Sequence, residues 1–163
     1  MKKNLLILLI TIFLNSCGYT SLYKANNLKN LQLNFEIIDA SGDSEINNYI
    51  LTDLNKYQNA SLAEKIKIEI NSIYLKSGVS NDKKGKTNLY NLVVKTTFNI
   101  NINEKDNTII IKEKVRINRL DDTFEQKNYE KKIKKDISKL IVDRFINRVS
   151  ILKWLLNHLM LLS

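Results

Sequence analysis

The chain has 163 residues, one cysteine and a formal net charge of +9 at neutral pH. This length suits one domain with a modest core. A single cysteine excludes an intramolecular disulfide, so packing must stabilise the fold. Positive charge of this size often signals nucleic-acid binding. Because the N-terminus carries an export signal, we expect anionic lipid, polysaccharide or an acidic protein surface instead, and no nucleic-acid partner.

The N-terminus has the pattern of a bacterial lipoprotein signal. Lys2 and Lys3 precede an apolar run over residues 5–14, and a small residue lies directly before Cys17. The run is too short to span a bilayer. A cysteine at this point resembles the lipobox of bacterial lipoproteins, so we predict that residues 1–16 are removed and that Cys17 is acylated. The alternative is a free thiol beside an uncleaved signal anchor.

The first part of the mature chain is predicted to be a tether, a strand and a helix. Residues 17–30 have no clear period and are predicted to be a lipid-anchored tether. Apolar and polar residues then alternate from Leu31 to Ile37, which predicts a half-buried strand. A turn and helix-start signal follows at residues 39–43. Apolar residues then recur at helical spacing and predict an amphipathic helix over residues 44–58.

A second strand is predicted from about residue 65. Isoleucines share one face over residues 66–70, whereas Ile73 and Leu75 have the opposite parity. Since a one-residue insertion restores such a pattern, we expect a β-bulge near Asn71 and Ser72.

Two more strands are predicted over about 92–102 and 109–119, and each has one apolar face. Short polar loops at residues 81–86 and 104–107 join the second, third and fourth strands. Because the loops are short, these three strands are expected to form an antiparallel meander.

A long amphipathic helix is predicted to close the chain. Thr123 and Gln126 have the spacing of a capping box, and apolar residues follow at intervals of three and four. The early polar face is rich in lysine: Lys127, Lys131, Lys132, Lys134 and Lys135. Residues 151–162 are apolar nearly all round but too few to cross a bilayer. They are expected to be buried, or to dock on a partner or a membrane surface.

The order of elements predicts an α+β fold. Residues 31–163 are expected to form a single domain in which two helices pack on one face of a four-stranded mixed sheet, in the order strand, helix, three strands, helix. This arrangement buries the apolar faces of all six elements with the fewest layers.

The residues do not predict an active site. The only histidine, His158, lies in the apolar tail, where a helix-surface or partly buried position is its ordinary role. One histidine and one acylated cysteine do not make the usual zinc site, and the glycines are too scattered for a phosphate-binding loop. We therefore expect a protein without enzymatic activity, cofactor or metal.

The best remaining signal is basic charge at one hairpin tip. Lys83, Lys84 and Lys86 lie within four residues, and Asp82 offsets one of their three charges. One interpretation is a solvated loop in a lysine-rich protein. The other is contact with phosphates or carboxylates of an anionic glycolipid.

The sequence Cys17-Gly18-Tyr19-Thr20-Ser21-Leu22-Tyr23 resembles the mature start of LptE-type lipoproteins, the lipopolysaccharide-assembly lipoproteins of Gram-negative outer membranes. Members of alphaproteobacterial type often begin Cys-Gly-Phe/Tyr-x-Pro-Leu-Tyr. Five residues match, and Ser21 stands where proline is usual. Gly18, rather than an acidic residue, follows the cysteine, which by analogy with lipoprotein sorting favours the outer membrane.

The resemblance implies a fold, a location and partners. LptE-type proteins have a small sheet with two helices against it, act without catalysis, sit within the LptD β-barrel and contact lipopolysaccharide. It therefore implies a lipid-anchored outer-membrane protein facing the periplasm and the barrel lumen. Two alternatives remain open. One is an outer-membrane lipoprotein that scaffolds another envelope complex without glycolipid contact, and the other is a signal-anchored inner-membrane protein.

Overall fold

The computed structural model describes residues 33–160, with side chains described as far as Leu155. These residues belong to one compact unit, Leu31–Ser163. The elements are β1 (Phe35–Gly42), α1 (Ser44–Leu54), a 3-10 turn (Asn55–Tyr57), β2 (Ile66–Asn81), β3 (Thr87–Ile102), β4 (Lys105–Asn118) and α2 (Thr123–Met160). The predicted α+β class and element order are confirmed. The signal peptide, the tether and Cys17 lie outside the described residues.

The four strands form one mixed sheet in the order β1-β2-β3-β4. β1 and β2 are parallel and joined through α1. β2, β3 and β4 form the predicted antiparallel meander. The order follows from the connections, because short loops favour antiparallel neighbours whereas a parallel pair needs a crossover.

Both helices cover the same face of the sheet and contact each other. On that face the even-numbered residues are buried from Ile66 to Ser72 in β2 and from Leu92 to Ile102 in β3. Phe145 of α2 is fully buried, and its ring stacks on Phe98 with centroids 4.1 Å apart. Phe35 of β1 lies 6.1 Å from the same ring. These three rings therefore join β1, β3 and α2 at the centre of the core.

Polar contacts join α2 to α1 and to the 3-10 turn that follows α1. Lys134 Nζ of α2 lies 2.6 Å from Glu45 Oε2 of α1. The Tyr57 hydroxyl donates to Asp143 Oδ1 at 3.1 Å. Burial, together with the nearby Asp143 carboxylate, raises the pKa of Tyr57 to about 12. Tyr57 therefore stays a neutral donor over the physiological range.

The predicted bulge near Asn71 and Ser72 is wrong. β2 pairs with β3 without interruption from Lys67 to Gly78, and the register shifts lie between Gly78 and Asn81. The core face continues through Ser72, which is fully buried and lies 3.1 Å from Thr96 Oγ1. Because this hydroxyl pair satisfies its own hydrogen bonds, a polar residue occupies a core position at little cost.

Ile73 and Leu75 therefore point away from the core. They are 46% and 59% exposed. The sequence pattern that suggested a change of parity instead marks apolar residues on the outer face of the sheet.

The predicted turn at residues 39–43 is also displaced. β1 shifts register between Ile37 and Asp39 and then continues beside β2 as far as Gly42. Gly42 has a φ of 88°, and a Cβ there would lie 2.1 Å from the carbonyl oxygen of Ser72. Asp43 follows as the N-cap of α1, with its carboxylate accepting from Ile46 N at 2.9 Å. The strand thus runs directly into the helix at a glycine.

The β3–β4 turn and the N-terminal cap of α2 also differ from prediction. The β3–β4 turn consists of Asn103 and Glu104, both with positive φ, instead of residues 104–107. Such a two-residue turn matches the twist of its strands. The N-terminus of α2 is capped by Asp122, whose carboxylate accepts from Glu125 N at 2.7 Å, instead of by Thr123.

α2 is a single helix of 38 residues, which corresponds to about 57 Å. The apolar segment that begins at Ile151 continues this helix without a break. Among the helices described, none has the length and hydropathy to cross a membrane.

Candidate functional site

The three predicted tip lysines lie together on the exposed loop 82–86 between β2 and β3. Asp82 shapes this loop, because its carboxylate accepts from the backbone nitrogens of Lys84 and Lys86 at 2.8 and 2.9 Å. Gly85 completes the turn with a φ of 77°. Within residues 33–155, no carboxylate lies within ion-pair distance of Lys83, Lys84 or Lys86.

The lysine tip is far from the point where the described chain begins. Leu33 pairs with Gln58, next to the start of β1. From Ile66 at that end, β2 runs for 16 residues to Asn81 beside the tip. At 3.3 Å per residue this is about 50 Å. The tip and Leu33, the first described residue, therefore lie at opposite ends of the sheet.

The outer face of the sheet is open, and we call its β2, β3 and β4 residues the open sheet face. Every outward-pointing residue on these strands is exposed or half-exposed in the described part of the chain. Four aliphatic side chains lie near its centre: Ile73, Leu75, Val93 and Ile110. Exposed aliphatic groups that cluster on one face are typical of an interaction surface.

Basic residues are interleaved with these aliphatic ones. Ile73, Lys95 and Lys112 are cross-strand neighbours. In the next row toward the lysine tip, Leu75 pairs with Val93, and Val93 pairs with Lys114. The direct opposition of Lys95 and Lys112 destabilises a sheet, because like charges repel across strands. An anionic partner would remove that cost, whereas folding alone gives no reason for it.

The end of the open sheet face nearest to Leu33 is polar instead of basic. An open cavity there, of about 700 Å³, is lined mainly by acidic and amide side chains, among them Glu69, Asn99 and Asp106, with Lys67 as its one basic residue. Asn101 Nδ2 donates to Asp106 Oδ1 at 2.6 Å, so the lining is already hydrogen-bonded within itself.

The lysines predicted on the polar face of α2 have different environments. Lys134 is not a solvated surface group: its side chain is only 15% exposed. It pairs with Glu45 and lies 4.3 Å from the ring centroid of Tyr74. Lys131, Lys132 and Lys135 are exposed. A variant that lacks these three lysines is therefore a suitable control for a variant that lacks the three tip lysines.

No group of histidine, cysteine and carboxylate side chains that suits a metal occurs in the described residues. The side chain of His158 and the whole of Cys17 lie outside the part described. The site is therefore a set of surfaces: the lysine tip and the open sheet face. Sequence reasoning found the first and missed the second, although the parity of Ile73 and Leu75 was its signal.

Comparison with known proteins identifies the fold. No protein-family profile and no curated protein matches the sequence. Rare lipoprotein B from Shewanella oneidensis superposes with a TM-score of 0.57 at 16% identity, over 77% of this chain and 99% of that one. Lipoprotein B from Nitrosomonas europaea gives 0.54 at 18% identity, over 75% and 84%. A minor lipoprotein from Acinetobacter baumannii gives 0.54 at 11%, over 76% and 92%. The chain shares its fold with these proteins.

Proposed function

We propose that this chain is a non-enzymatic outer-membrane lipoprotein that partners a β-barrel translocon of the LptD type in lipopolysaccharide transport and outer-membrane assembly. The observation that carries the proposal is an agreement between two independent features. The N-terminal residues resemble an LptE-type lipoprotein, and the folded domain has the fold of lipoproteins.

The open sheet face supports contact with a barrel wall. Interiors of outer-membrane barrels are polar. A face that interleaves Lys95, Lys112 and Lys114 with aliphatic side chains suits a polar, partly acidic wall better than lipid. The tip lysines support contact with the phosphates of a glycolipid, because all three ammonium groups are solvent-exposed and unpaired in the described structure.

Anchoring is the first part of the proposal to test. Mass spectrometry of the protein from cell envelopes should show loss of residues 1–16 and added acyl mass on Cys17. Each buried CH₂ contributes about 0.8 kcal/mol to membrane binding. Cys17→Ser should leave an unprocessed precursor. An intact Met1 on the mature protein would contradict a cleaved lipoprotein and favour the signal-anchored alternative.

Lipopolysaccharide contact is tested at the tip. Replacing Lys83, Lys84 and Lys86 by glutamine should weaken lipopolysaccharide binding in low salt. Each exposed pair with phosphate contributes about 1 kcal/mol or less, but three act on one multiply phosphorylated ligand. The difference from wild type should shrink as salt is raised, because exposed charges are screened.

The matched control for this test removes three exposed lysines elsewhere, Lys131, Lys132 and Lys135. It changes net charge equally and leaves the tip intact. If both triple variants bind lipopolysaccharide as wild type does, the tip lysines are solvated surface groups. That result, together with recovery of periplasmic partners instead of a barrel, would favour the lipoprotein that scaffolds another envelope complex without glycolipid contact.

A further inference from the structure

β4 forms one border of the sheet, and in the part of the chain that the structure describes no strand lies beyond it. The strand runs for 14 residues, from Lys105 to Asn118. Every second residue of an edge strand turns its backbone N–H and C=O away from the sheet. Such a row of backbone groups is a template on which another strand can add.

The even-numbered residues of β4 are the ones whose backbone faces this free edge. Lys105 pairs with Ile102 across the two-residue turn, where the flanking residues exchange hydrogen bonds. β4 then pairs with β3 without a register shift, so its odd-numbered residues bond to β3. Arg148 of α2 agrees with this parity, because its Nη1 donates to the outward carbonyl oxygen of Ile110 at 3.0 Å. The same parity turns the backbone groups of three basic residues outward: Lys112, Lys114 and Arg116.

α2 makes a wall beside this edge. Arg144 Nη1 lies 2.6 Å from Glu113 Oε1, and Arg148 reaches Ile110, so α2 runs antiparallel to β4 along the edge. Leu140 lies one helical turn before Arg144 on the same stripe, and its side chain is 42% exposed. A free edge with a helix beside it suits strand addition, in which main-chain hydrogen bonds provide affinity and side-chain contacts provide specificity.

We call the edge of residues 110–116, together with this stripe of α2, the β4 groove. Its exposed charged side chains are all cationic: Lys112, Lys114, Arg116, Arg144 and Arg148. Glu113 is the one carboxylate of the groove, and Arg144 already pairs with it. Within residues 33–155, no carboxylate lies within ion-pair distance of the three β4 cations. The groove is therefore complementary in charge to an acidic occupant.

Lysine on an edge strand also has an ordinary role, which is to keep neutral strands from pairing there. That role requires neither the exposed Leu140 on the helix wall nor the direct opposition of Lys95 and Lys112. Both features have a use if a strand with carboxylates lies along β4, because its apolar side chains contact the helix and its charges offset the repulsion.

We propose that the β4 groove binds an extended acidic segment of a partner protein, which adds to the sheet as a fifth strand. The backbone of the segment pairs with that of Lys112, Lys114 and Arg116, and its alternate carboxylates lie beside the same three side chains. The inference goes beyond the proposed function, because the edge accepts such a segment whether it belongs to a barrel or to another envelope protein.

Backbone amide exchange tests strand addition directly, because it reports hydrogen bonds instead of charge. The full mature chain in detergent is mixed with a short peptide of alternating glutamate and valine, and single amides are followed by NMR. Without peptide, the amides of Lys112 and Lys114 should exchange fast and those of Glu113 and Val115 slowly. At a peptide concentration about ten times Kd, exchange of the edge amides should slow about tenfold, since only unbound protein exposes them.

Two comparisons separate the groove from general attraction between opposite charges. Replacing Lys112, Lys114 and Arg116 by glutamine keeps the backbone edge, and the fold should survive because all three side chains are exposed. Protection by the acidic peptide should be lost in this variant at low salt. The matched control is the triple tip variant, which changes net charge equally and leaves the groove intact. Its edge amides should be protected as in wild type.

Each other outcome overturns the proposal. Unchanged exchange with the acidic peptide means that no strand adds to β4. Equal protection by a peptide with lysine in place of glutamate means that the groove does not select acidic segments. Equal loss in the edge and tip variants means that the attraction is not local. Protection that needs no peptide and grows with protein concentration assigns the edge to a second copy. Barrel recovery in a pull-down tests the proposed function separately from all of these.

Discussion

At the scale of single residues, the close approach of Gly42 to β2 sets where β1 ends and α1 begins. Its φ of 88° is a conformation that residues with a Cβ rarely adopt, and the Ser72 carbonyl fills the place of a Cβ. Asp43 then donates its backbone N–H to that same carbonyl at 2.7 Å. The sequence predicted a turn at this glycine but not the strand contact, because close backbone approach depends on tertiary pairing.

Gly42→Ala is therefore expected to destabilise the fold by about 2 kcal/mol or more, from an unfavourable φ together with a backbone clash. Gly85→Ala is the matched control. Gly85 also has positive φ, but nothing lies within 4 Å of its Cβ position. Its cost should be only about 1 kcal/mol. Urea unfolding measures both. Equal losses would show that the approach to Ser72 is not what requires glycine at position 42.

At the scale of elements, periodicity predicted all four strands and both helices, since local alternation of apolar and polar residues decides which face is buried. Periodicity predicted the wrong face for part of β2. Ser72 is polar but is buried against Thr96, whereas Ile73 and Leu75 are apolar but point away from the core. Pairing of two buried hydroxyls is a tertiary event that a single strand's sequence does not reveal. Because Ile73 and Leu75 were assigned to the core, the open sheet face was not predicted from the sequence.

Replacing Ile73 and Leu75 together by threonine tests that face. Because both side chains are exposed and threonine suits a strand, the free energy of unfolding should change by less than about 1 kcal/mol. Ile68→Thr, at a fully buried position of the same strand, should cost several times more. Chemical unfolding of the three proteins decides this. A loss for the double variant as large as that for Ile68→Thr would mean that the open sheet face is covered in the folded protein.

At the scale of the whole molecule, the surfaces are ordered along the sheet. Leu33 lies at one end, as does the apolar segment of α2 that begins at Ile151, where Lys153 pairs with Glu64 in the loop before β2. The aliphatic and basic centre of the open sheet face lies between, and the lysine tip is at the other end. The sequence predicted the tip and the apolar segment as separate features. Their positions at opposite ends follow from the antiparallel return of α2 along the sheet, which requires the topology.

The central claim is the proposal that this chain partners a large outer-membrane β-barrel. The most direct measurement is an affinity pull-down of the tagged mature protein from detergent-solubilised envelopes, followed by mass spectrometry. The account predicts one large β-barrel, recovered equally by wild type and by the triple tip variant, and much less by a variant with Ile73 and Leu75 changed to aspartate. Recovery of other periplasmic proteins, with no barrel, would contradict it.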